Sequence, residues 1–212
     1  MNLDQLGEQV RRELQARHQA RERGLALHRD VIRNSANAIR AAHRAEYARA
    51  RELIAEAAGL AQQIEEALGP YPEIYHAGFV HDCQKELAEA NITLALLTDE
   101  PLPEPGELRV HLPAYLNGLA EGVGEARRHL LDLVRRGQLD RCEAVLQRMD
   151  DIYSLLVTID FPDAITAGLR RSTDVTRSII EKTRGDLTVA MRQQDLERAL
   201  RSLEARLTGS GN

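Results

Sequence analysis

Tryptophan is absent from this chain, and five tyrosines and two phenylalanines bring the aromatic share to only 3%. Strands are enriched in aromatic and β-branched residues, so this scarcity argues against a β-sandwich or barrel. Cysteine is nearly absent. Cys83 and Cys142 stand alone, with no CxxC and no metal-type spacing. That excludes a disulfide scaffold and a zinc module, and reads as two reduced thiols on helices of a cytoplasmic protein. No apolar run could span a membrane, and the start "MNLDQLGEQVRRELQ" has no apolar stretch of the signal-peptide kind. There is no Gly-rich phosphate loop, no nucleophile elbow and no dinucleotide fingerprint. Net charge is −5, so nothing global advertises nucleic acid.

What is present favours helix. Of 212 residues, 43% are hydrophobic and 29% charged, dominated by Ala, Leu, Arg and Glu. The length suits one domain with a real core, here expected over residues 1–207, with a frayed tail at 208–212. Leu3 to about Gly24 is polar and helical in pattern, and the 3-4 spacing continues through Ile32, Ala36, Ile39, Leu53, Ala57, Leu60 and Ile64 to Gly69-Pro70. This is one very long helix or two divided near Gly24. A second helix is expected from about Glu73 to Leu97, on the stripe Val80, Cys83, Leu87, Ala90, Leu94 and Leu97. "TDEPLPEPGELRVHLP" then forms the one substantial loop. A third helix runs from Pro113 to Gly137, a fourth from Leu139 to Thr158, and further helices fill the rest. The class is an all-α bundle of about seven helices.

Charge is unevenly placed. From Arg11 to Arg51 there are 11 arginines against Glu13, Glu22, Asp30 and Glu46, a local excess of 11 − 4 = +7. Such a segment can serve a phosphate backbone, with Arg29 and Arg33 as candidates. A solvated helix face is the plainer reading.

The acids of "QKELAEANIT" and "YLNGLAEGVGEARR" raise a sharper question. At ~100° per residue, Glu86 lies roughly 100° and Glu89 about 160° from Leu87, the centre of their helix's apolar stripe. Glu121 and Glu125 lie about 160° to either side of Val123. All four point off the packing seam of their own helix. They are either a solvated face or a carboxylate cluster shared by two neighbouring helices. A cluster of four would need a cation, and oxygen-only donors select Mg²⁺, with Mn²⁺ as the alternative. Such ions support phosphoryl chemistry. Lys85 and Arg128, on or near the same faces, can hold phosphates or pair with Glu89 and Glu125. His81 is a weaker candidate for backbone contact, and His81 and His129 for proton transfer, against the plainer reading of surface histidines. The single ExxH, Glu73 with His76, lacks the second copy that a di-iron bundle requires.

Four segments in order resemble the translin family. They are "ARHQARERGLALHRDVIRNSANAIRAAHR" (16–44), "ELAEA" (86–90), "YLNGLAEGVGEARR" (115–128) and "GLRRSTDVTRSIIEKTRGDL" (168–187). Within that family the chain is similar to the branch of translin-associated factor X and its archaeal and bacterial relatives, which keeps an ExxE motif that plain translin lacks. The resemblance implies an all-α protomer of a hollow homo-octamer. It also implies a Mg²⁺-dependent endoribonuclease acting on single-stranded RNA within that shell, with Glu86, Glu89, Glu121 and Glu125 as catalytic and metal-binding acids. One departure is Glu121, where the pattern usually has aspartate. The rival is a non-catalytic protein binding single-stranded DNA or RNA.

Overall fold

A computed structural model describes residues 2–209. Among them it shows nine helices, six of them substantial, and no strand. Helix α1 (Leu3–His43) opens on an Asn2 side chain that accepts the Asp4 amide at 3.0 Å. It runs unbroken through Gly24, where a division was an option. Gly24 is buried, and a Cβ there would meet Leu68 Cδ1 at 2.9 Å, so this glycine serves close helix packing rather than a turn. The chain reverses instead at Ala45, φ 60°. The Ala45 amide bonds Ala42 O at 2.9 Å and the Glu46 amide bonds Ala41 O at 3.0 Å, a Schellman closure made without glycine. That reversal had no turn residue to mark it.

Helix α2 (Tyr47–Leu68) returns along α1, and buried Ala38, Ala41, Ala42, Ala50 and Ala57 let the two approach closely. The expected second helix is split: α3 (Pro72–Tyr75) is one turn, and α4 (Gly78–Thr98) carries the stripe. The Pro-rich loop contains a short helix, α5 (Pro105–Leu108). Then come α6 (Leu112–Arg135), closed by Gly137 at φ 72°, and α7 (Leu139–Val157). After the turn α8 (Asp163–Thr166), the expected final helices form one, α9 (Leu169–Gly209), and the rest of the expected tail, 210–212, lies outside the described residues.

The order of packing positions the site. The α1–α2 hairpin lies on one side of α4, α6 on another, and α7 and α9 back α6. Central α4 is therefore buried around most of its circumference from Ile92 to Leu97, not along one stripe. The core is aliphatic, built from residues such as Ile64, Leu68, Leu87, Leu119, Leu130 and Leu156. Apolar side chains stand in the open at several places, among them Leu3, Val10 and Leu14 of α1 and Leu196, Leu200, Leu203 and Leu207 of α9. Among the described residues no helix is long and apolar enough to cross a membrane.

Candidate metal and acid site

Two glycines bring the acids together. Gly118 and Gly122 lie one turn apart on the face of α6 that meets α4. A Cβ on Gly118 would stand 2.8 Å from Ala88 Cβ and 3.0 Å from both Glu89 N and Lys85 O. A Cβ on Gly122 would stand 2.8 Å from Ile92 Cγ2. The backbones of α4 and α6 thus nearly touch beside Lys85, Glu89 and Glu121. Small residues four apart permit such an approach, and the spacing in "NGLAEGVG" is its signal in the sequence. Asn117, buried, fastens the next layer: its amide donates to Thr166 O at 3.0 Å and its oxygen accepts the Ser172 hydroxyl at 2.7 Å. That sets the start of α9 beside the acids, in a cleft of about 350 Å³ lined by Glu89, Glu121, Arg171 and Ser172.

The result is a triad. One carboxylate oxygen each from Glu86, Glu89 and Glu121 lie within 4.8 Å of one another. All three are half-buried, so they leave the packing seam without reaching an open face. Burial, followed by the charges of Glu121, Glu86 and Glu125, pushes the Glu89 carboxyl up to about 8. Glu86 is also raised, first by burial, with Lys85 opposing. At neutral pH the bare cluster therefore keeps a proton on Glu89 that a cation would displace. The donor set is all carboxylate, which fits a hard divalent ion.

Lys85 complicates that picture. Its ammonium donates to Glu121 at 2.7 Å and lies 3.5 Å from Glu86, and the pair with Glu89 that the sequence offered as one alternative is not formed. Burial works to lower Lys85, but its hydrogen bond to Glu121 and the charges of Glu121, Glu86 and Glu89 outweigh it and raise it. Lys85 is thus an internal counter-charge, in addition to any part in holding phosphate.

Glu125, the fourth acid, stands outside the triad. Its Oε2 accepts from His43 Nε2 at 2.5 Å, and Arg128 reaches the same oxygen at 3.8 Å. The His43 hydrogen bond holds the Glu125 carboxyl below its ordinary range against the opposing effect of burial. Sequence reasoning placed His43 only within the segment 16–44 and missed its contact. The other candidates are not members of this group. His81 has Asp82 at 3.8 Å, Arg33 is paired with Asp30 at 2.9 Å, and Arg29 is exposed on α1. Glu73 of the ExxH is engaged by Arg17 at 2.7 Å.

No protein-family model matches the chain. A protein of Methanocaldococcus jannaschii, itself uncharacterised, is 28% identical over 191 residues, 89% of this chain and 84% of its own length. Among solved structures, AfC3PO in complex with duplex RNA superposes with a TM-score of 0.82 at 32% identity, covering 88% of this chain and 96% of that one. AfC3PO alone gives 0.81 at 31%, over 88% and 97%. NeC3PO without ligand gives 0.74 at 23%, over 89% and 97%, a likeness of fold.

Proposed function

The chain belongs to the C3PO family of translin-like helical proteins, and on that premise we propose that it is a divalent-metal-dependent endoribonuclease of the translin-associated factor X branch. The observation that carries this reading is the half-buried triad of Glu86, Glu89 and Glu121, with oxygens within 4.8 Å of one another. Three carboxylates this close repel one another, and Lys85 with the proton on Glu89 offsets that only in part, so the group favours a divalent cation.

Glu86, Glu89 and Glu121 would hold the ion, Mg²⁺ or Mn²⁺. Bound there, it supplies polarisation of a phosphate oxygen and a lowered pKa for water. The chain's own groups do the rest. Glu125, kept anionic by His43, accepts a proton from the attacking water at the rim of the triad. Lys85, which now holds Glu121, would be the group to hold a phosphate oxygen beside the acids. Arg128, exposed beside Glu125, holds the strand's backbone, with Arg29, Arg33 and His81 as outer contacts.

A second reading has one observation in its favour. Lys85 already neutralises part of the cluster at 2.7 Å from Glu121, as a binding protein without catalysis would need. Incubation of end-labelled RNA with Mg²⁺, Mn²⁺ or EDTA separates the two. Cleavage that EDTA stops supports the enzyme, and retention on the protein without cleavage in any metal supports the binder.

Binding itself should fall about tenfold or more between roughly 50 and 200 mM salt, because arginine–phosphate contacts release counterions. Single-stranded RNA is the expected substrate, with single-stranded DNA as a further ligand. AfC3PO is seen with duplex RNA, so the binding series includes a duplex of matched length. Affinity insensitive to salt would contradict the phosphate contacts, and a duplex that is cut faster than the single strand would reverse the expected preference.

The site is expected to work inside a homo-octamer. The open apolar residues of α1 and of the end of α9 are what a protomer leaves for its neighbours. Light scattering should report a mass several times the chain's 23.7 kDa, and that monomer mass at all concentrations would overturn the assembly.

A further inference from the structure

His43 sits in the last turn of α1, just before the chain reverses at Ala45. Its side chain is 4% exposed, and Nε2 meets Glu125 Oε2 at 2.5 Å across the contact with α6. A carboxylate has only acceptors, so Nε2 carries a proton and donates it. The other ring nitrogen, Nδ1, is buried without a hydrogen-bond partner. Packing does not ask for an imidazole here. The buried face of α1 is otherwise Val31, Ser35, Ala38, Ile39, Ala41 and Ala42, and an apolar side chain would bury no unpaired nitrogen. The bond that the ring makes is the one to Glu125.

Glu125 differs from the other three acids. It lies outside the group that closes within 4.8 Å, yet its charge reaches Glu89. Its contacts from His43 and Arg128 both fall on Oε2. Neither engages Oε1.

We propose that His43 is a positioning residue for the acid site: its grip on Oε2 fixes the Glu125 carboxylate at the rim of the triad, with Oε1 available both to a cation beside Glu89 and to the water whose proton Glu125 takes. This rests on the proposed metal-dependent function of that site. Without the bond, the torsions of the glutamate side chain are free, and exposed Arg128 draws the carboxylate toward solvent. A residue that orients a ligand acts through geometry, so a side chain that restores the hydrogen bond should restore the effect.

The test follows Mn²⁺ binding by calorimetry and RNA cleavage on the same preparations. His43→Leu removes the donor. His43→Gln puts an amide N–H near the place of Nε2–H and cannot take up a second proton. His43→Asn carries the same amide on a shorter side chain that stops short of Oε2. Loss of the donor should weaken Mn²⁺ binding about tenfold and slow cleavage about tenfold to a hundredfold. RNA affinity in EDTA should stay at the parent's value. His43→Gln should recover most of both losses, His43→Asn should not, and His43→Leu should add nothing in a Glu125→Gln background.

Parental Mn²⁺ affinity in His43→Leu would overturn the assignment. So would a folded His43→Gln as impaired as His43→Leu, since the ring's own proton would then matter rather than the hydrogen bond. Should His43→Leu fail to fold, the Gln and Asn variants decide, and equal behaviour of those two overturns the proposal. A parent that binds Mn²⁺ and cuts no RNA would end the nuclease reading, while the Mn²⁺ titrations of the variants would still decide the role of His43.

Discussion

Glu89→Gln is expected to slow RNA cleavage by about 10²- to 10³-fold, the range for losing one group that stabilises charge in the transition state. It should also make the metal-free protein more stable. A neutral amide is a poor ligand for a hard divalent ion, so the site loses its cation or holds it weakly. The gain in stability has a definite pH signature. Glu89 is raised from an ordinary carboxylate value near 4.5 to about 8 by burial and by its acidic neighbours. Between those values the folded state binds a proton that the unfolded chain does not. Stability of the metal-free parent therefore falls as pH rises through that window, at up to roughly 1.4 kcal/mol per pH unit. Glu89→Gln removes this loss, so its advantage is absent at pH 4 and largest at pH 8 and above. Melting curves across pH, in EDTA, read it directly. Parallel curves for parent and variant would mean that Glu89 is not in the crowded environment described. Added Mg²⁺ should stabilise the parent most at the alkaline end, where Glu89 has no proton to lose.

Gly118→Val should be the most damaging single change outside the acids. Its Cβ would sit 2.8 Å from Ala88 Cβ and 3.0 Å from the backbone atoms Glu89 N and Lys85 O. Backbone atoms cannot rotate aside, so α6 must back away from α4. Overpacking of this kind costs about 1–3 kcal/mol, occasionally more. The same displacement carries Glu121 away from Glu86 and Glu89, so cleavage should fall about a hundredfold even at temperatures where the variant is folded. Gly118→Ala should show the same effect in smaller form, although alanine favours helix by about 1 kcal/mol. Gly59→Ala is the control. A Cβ there meets nothing within 4 Å, so the same exchange should stabilise by roughly 0.5–1 kcal/mol. If both glycines respond alike, close approach at Gly118 does not shape the site.

The all-helical class was legible because periodicity and composition agreed. The long elements came out where the 3-4 stripe ran strongest, as with Val80 to Leu97 and Leu116 to Leu133. Breaks were legible only where glycine or proline made them. Gly137 closes α6 as expected, whereas the Ala45 reversal uses an L-residue in the left-handed region, and the local sequence "HRAEY" gives no sign of it. At Gly24 the sequence left a division open, and the structure makes none, because Gly24 packs against Leu68.

The candidate site divides in the same way. Angles around each helix axis correctly took the acids off the seam of their own helix. They could not say that α6 would press its glycine face on α4 and half-bury three of them. Nor could they separate Glu125 from the triad, because that separation depends on His43, 82 residues away in sequence. For Lys85 the sequence offered a phosphate contact or a pair with Glu89 on its own helix, and it could not show the partner across the helix contact, Glu121 at 2.7 Å. Glu121, the departure from aspartate, is the acid that Lys85 holds. Glu121→Gln therefore tests both whether Glu121 is a ligand and whether Lys85 is released.

The most direct measurement is a titration of metal-free protein with Mn²⁺, followed by electron paramagnetic resonance, for the parent and for Glu86→Gln, Glu89→Gln and Glu121→Gln. The account predicts saturable binding by the parent, displaced by Mg²⁺, and its loss in each variant with the fold and assembly intact. A parent that binds no Mn²⁺ saturably, or three variants that bind it as the parent does, would contradict the account, and the three acids would be a solvated helix seam neutralised by Lys85.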